Sequence, residues 1–74
     1  MNLTKKILIF IIKEKAQGNV SQEMNVQMKI MMKGINVKGI LEEKIGDHPD
    51  LNEKLKTIAK DFDIDLTKMK YEEK

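Results

Sequence analysis

The stretch SQEMNVQMKIMMK, residues 21–33, decides the fold because it fits two of them. Met24, Met28, Met31 and then Ile35 recur at the i, i+4, i+7, i+11 spacing that lines one face of a helix. Met24, Val26, Met28, Ile30 and Met32 also alternate with Asn25, Gln27, Lys29 and Lys33, as in a half-buried strand, and only Met31 breaks the alternation. Joined through the turn signal Gly18-Asn19 to the β-branched run Ile7–Ile12, the strand reading gives a hairpin over residues 5–33, followed by two helices. Composition favours the helix, since Met, Gln, Glu and Lys form helices well and suit strands poorly. Val26 and Ile30 then lie on a second apolar face, away from the methionine stripe.

Working outward, the punctuation on either side is helical. Gly18, Gly34 and Gly46 divide the chain, and Thr4, Ser21, Asn36 and Asp50 open the segments between and after them. Such side chains accept hydrogen bonds from the free N–H groups of a first helical turn, and glycine takes the left-handed conformation that ends a helix. The expected helices are Thr4–Gln17, with Leu3 stapled to Leu8, then Ser21–Lys33, Val37–Ile45 and a fourth from Asp50. Leu51, Leu55, Ile58, Ala59 and Phe62 form the stripe of the fourth, and a further turn follows Thr67, with residues 70–74 fraying. The first helix would bury Leu8, Ile11, Ile12 and Ala16, yet it is apolar on most other sides, so it belongs at the centre or against another chain. The expected fold is all-α, a compact bundle of four or five short helices forming a single small domain over residues 1–74. The α+β arrangement with an N-terminal β-hairpin is the alternative.

Composition narrows the function. Seventy-four residues with 35% charged and 41% hydrophobic side chains are globular in type, but a core of this size gives only about 3–5 kcal/mol of stability. There is no cysteine, hence no disulfide framework and no thiolate metal site. The run Ile7–Ile12 is far short of the ~20 apolar residues of a membrane span, so the expectation is a soluble cytoplasmic protein with no membrane partner. Net charge is +2, unevenly spread. Residues 1–38 carry seven Lys against Glu14 and Glu23, and residues 39–74 carry seven Lys against ten acids.

Three constellations suggest chemistry. Asp61, Asp63, Asp65 and Glu72 stand at positions 1, 3, 5 and 12 of an EF-hand-like loop, but Leu66 replaces the glycine on which such a loop turns. His48, in Asp47-His48-Pro49-Asp50, reads as a loop or capping residue at a helix start before it reads as a general base or metal ligand. Residues 58–69 resemble a helix-turn-helix pattern, with Ala59 at the crossing and a reading helix from Thr67. A weaker version uses Gly34 as the turn and Val37–Ile45 as the reading helix. A DNA-binding regulator contacting nucleic acid through Thr67, Lys68 and Lys70 is therefore the alternative function, with no Arg to pair with guanine.

The expected function is protein–protein binding. One serine, no cysteine and no glycine-rich phosphate loop leave little for catalysis, and the expectation is a non-enzyme with no cofactor, no metal and no small-molecule substrate. A short chain with more apolar helix surface than it can bury alone points to self-association, as a homo-oligomer acting as a regulator or adaptor. The expected interaction surface is Ile9, Phe10, Val26, Ile30, Met24, Met28, Met31 and Met32.

Overall fold

In the computed structural model, which describes residues 2–69, the helical reading of residues 21–33 holds and no strand occurs among the described residues. The hairpin alternative is overturned. Four helices follow one another: α1, Leu3–Ala16; α2, Val20–Met32; α3, Val37–Leu41; and α4, Pro49–Asp61, with a 3-10 turn at Leu66–Lys68. The radius of gyration is 11.3 Å, the ~11 Å expected of a compact chain of this length.

α1 is the central element. It packs against α2, α3, α4 and the 3-10 turn, which is how a helix apolar on most sides becomes covered. Ile7, Leu8 and Ile11 are fully buried, and Ile12 and Ala16 nearly so. Around them the core is completed by Val26 and Ile30 of α2, Ile35, Val37 and Ile40 around α3, and Leu55, Ile58 and Ala59 of α4.

Three helices start earlier than the sequence suggests, each capped two residues upstream of the expected side chain. Asn2 caps α1 by accepting from the Lys5 N–H at 2.8 Å. Asn19 accepts from the Gln22 N–H at 3.2 Å, and His48 Nδ1 receives the Leu51 N–H at 3.4 Å. Only Asn36 caps where expected, accepting from the Gly39 N–H at 3.0 Å. Gly34, at φ +93°, closes α2 as anticipated, whereas α1 is closed by Gln17 at φ 52° with Gly18 at +80° behind it, and Gly46 takes no positive φ.

Thr4 is displaced from its expected capping role because it is used elsewhere. It is completely buried. Its hydroxyl donates to Asn52 Oδ1 and accepts from the His48 N–H at 3.0 Å. Its own N–H donates to Asp47 Oδ1 at 3.0 Å. One side chain thus ties the N-terminus of α1 to the α3–α4 loop and to α4.

That loop also explains why α3 stops at Leu41 rather than Ile45. The N–H groups of Lys44 and Ile45 both turn back to the Gly39 carbonyl, at 2.9 and 3.2 Å. Glu43 adopts φ 60° and receives the Lys5 ammonium at 2.8 Å. Inside α3, a Cβ on Gly39 would lie 2.7 Å from Asn36 Nδ2 and 3.0 Å from Ile45 Cδ1. The helix propensity lost at this glycine, ~1 kcal/mol, is what allows the cap and Ile45 to close over it.

Candidate functional site

α2 is packed on one side only, and that side is set by Val26 and Ile30. They are 4% and 0% exposed and face α1. Their placement on an outer interaction surface is therefore corrected. The Ile- and Leu-lined interior made by α1 takes Val26 and Ile30, which lose little freedom when buried, and turns the flexible thioethers outward.

The outward side is the unusual one. Val20, Met24, Met28, Met31 and Met32 are 75%, 65%, 58%, 52% and 85% exposed, and every large exposed hydrophobic among the described residues belongs to this helix. At 3.6 residues per turn, Val20, Met24, Met28 and Met31 share a sector of roughly 80°, with Met32 at its edge. The centre of that sector lies ~140° around the helix from Val26 and Ile30. Val20 lay outside the expected helix and was missed for that reason. Its i, i+4 relation to Met24 becomes visible once Asn19, not Ser21, is taken as the cap.

The borders of the stripe are polar but nearly uncharged. Ser21, Asn25 and Lys29 flank one edge, and Gln27 and Glu23 the other. In a chain with 35% charged residues, the thirteen positions of α2 carry only Glu23 and Lys29, which cancel. Glu23 is further matched by Lys13 of α1 at 3.8 Å. Beyond Glu23 and Gln27 lies a shallow depression of about 200 Å³, lined also by Ile9, Ile12, Lys13 and Leu41. Ile9 is half-buried there, and Phe10 is half-buried against the core. Ile9 thus lies at the margin of the surface and neither residue at its exposed centre.

The other candidates separate. Asp61 faces Lys33 at 3.7 Å, Asp63 sits at φ 61° in the turn after α4, and Asp65 accepts both the N–H and the hydroxyl of Thr67. Those two bonds hold the Asp65 carboxyl below its ordinary range. No group of three or more acidic or histidine side chains converges among the described residues; Glu72 lies outside them. His48 caps α4 in place of the expected Asp50, one of the two roles, loop or cap, that its setting suggests.

Among the described residues, the helix-turn-helix pattern shows no reading helix, and residues 70–74, where most of it would run, lie outside them. From Thr67 the chain makes only the 3-10 turn Leu66–Lys68, and Met69 is already extended at φ −74°, ψ 133°. Lys68 lines a depression shared with Glu14, Lys15, Asp63 and Asp65, a mixed surface on which phosphates meet carboxylates. Lys70 lies outside the described residues. In the version centred on Gly34, α3 has five residues and buries Val37, Gly39 and Ile40, leaving only Lys38 exposed and Leu41 half-buried.

No helix among the described residues is long and apolar enough to cross a membrane. Comparison with known protein families, curated proteins and solved structures finds no match for this chain.

Proposed function

We propose that this chain works by protein–protein binding through the outer face of α2, and that its first partner is a second copy of itself. The single observation that carries the reading is the segregation of exposed apolar side chains. Val20, Met24, Met28, Met31 and Met32 form one contiguous stripe on one helix. Monomeric proteins rarely leave such a stripe uncovered. A nearly charge-free apolar centre with a polar rim is the anatomy of a protein interface.

A second copy fits because the face is electrically neutral. The stripe itself carries no charge, and of the two charged residues of α2 Glu23 is matched by Lys13, so two copies meet with little like-charge repulsion and a strongly acidic or basic partner finds only Lys29 on α2. Two-fold pairing then covers the same patch on both subunits. The chain acts in this reading as a small non-enzymatic regulator or adaptor whose assembly state is what other molecules sense.

The test is light scattering on the purified chain over a range of concentrations, beside Met24→Lys and Met28→Lys. The wild type is expected to reach a dimer mass, and each variant to stay monomeric with unchanged helical circular dichroism. Variants that keep the wild-type mass would remove α2 from the interface.

A further inference from the structure

Apart from Val20, the outer face of α2 is built from methionine, which the interior nearly lacks. Buried positions are Ile, Leu, Val and Ala, with Met69 at the edge of the core at 8% exposure. Four of the six methionines stand together on α2, more than half exposed. Burial alone does not call for this division, since Ile and Leu serve the core elsewhere in the chain. A thioether brings what they lack: flexibility and an oxidisable sulfur. With no cysteine in the chain, methionine is its only sulfur.

We infer that Met24, Met28, Met31 and Met32 are an oxidation site that controls self-association, an inference that rests on the pairing of α2 faces proposed above. A peroxide transfers one oxygen to each sulfur. The S–O bond forms as the O–O bond breaks, sulfur is oxidised by two electrons, and the peroxide leaves as water or an alcohol. The sulfoxide is polar and chiral, so the stripe loses the apolar character on which pairing depends. The free chain presents the sulfurs and the paired chain covers them, so oxidation proceeds from the free copy and holds it there. Thiol-dependent methionine sulfoxide reductases reverse the change.

The experiment treats the full chain with hydrogen peroxide and follows peptide mapping, light scattering and circular dichroism together. The four α2 methionines should gain oxygen before Met69, the mass should fall from dimer to monomer, and helical content should persist. The dissociation constant should rise ~100-fold or more, as expected when several buried thioethers become polar. Reductase with a thiol should restore the dimer. The combined variant Met24→Leu, Met28→Leu, Met31→Leu and Met32→Leu should stay dimeric through the same treatment. A dimer that persists with four sulfoxides would overturn the switch alone. Dissociation accompanied by loss of helix and equal oxidation of Met69 would overturn it too, because the effect would then be unfolding. An untreated chain that is monomeric at every concentration would overturn the pairing itself, and the switch with it.

Discussion

The two faces of α2 carry equally apolar side chains and meet opposite fates. Val26 and Ile30 disappear against α1, whereas Met24, Met28 and Met31, at the same helical spacing, remain more than half exposed. Periodicity identifies a helix with two apolar faces but does not say which one turns inward. Side-chain type narrows the choice: elsewhere the core is Ile, Leu, Val and Ala with Met69 at its edge, and α2 adds Val26 and Ile30 to it while Val20 stays on the outer face with the methionines. The lesson is that a face left over after the core is filled tells more about function than the face that fills it.

Charge substitution on the inner face should break the molecule. Ile30→Lys places an ammonium in a site with no exposure and no partner. Even Ile→Ala at such a site costs ~2–5 kcal/mol, comparable with the whole stability of ~3–5 kcal/mol available to a domain of this size. The variant should show no helical circular dichroism; a folded Ile30→Lys chain would mean that the faces are exchanged.

Thr4 sharpens the contrast from the other end of the core, where polar ties replace a free face. Thr4→Val keeps the shape but leaves the His48 N–H and Asn52 without their partner. The expected loss is ~1–3 kcal/mol, read as a lower urea midpoint with the dimer mass retained among folded chains. A Thr4→Val chain as stable as the wild type would show that the α3–α4 loop is held by something else.

A smaller effect attends the exposed pair Lys5–Glu43. The Lys5 ammonium hydrogen-bonds Glu43 and holds its carboxyl below the ordinary glutamate range. A depressed acid contributes stability above its unfolded pKa and loses it as pH falls through its folded pKa. Glu43→Gln should therefore lower the melting temperature slightly at neutral pH and not in acid, with the difference shrinking in high salt. A difference that survives in acid would assign it to packing rather than charge.

The sequence made the helices legible, and most of the interior of α1 with them, although Ile7, fully buried, falls outside the stripe of Leu8, Ile11, Ile12 and Ala16. The starts of α1, α2 and α4 were read two residues late for a common reason. Asn2, Asn19 and His48 each precede a second capping-type residue, and the more upstream side chain takes the cap. Thr4 could not be resolved from sequence because its partners, Asp47, His48 and Asn52, are more than forty positions away. The exposed apolar face of α2 was half legible. The methionines are on it, whereas Val26 and Ile30 required the packing of α1 to be placed.

Substitutions on the outer face should barely touch stability, within about ±0.5 kcal/mol for an exposed position, and should act on assembly instead. Light scattering of the wild type beside Met28→Lys, with circular dichroism of both, tests the central claim most directly. The account predicts a concentration-dependent dimer for the wild type and a folded monomer for Met28→Lys. A wild type that remains monomeric at the highest soluble concentration, or a Met28→Lys chain that still dimerises, would contradict it.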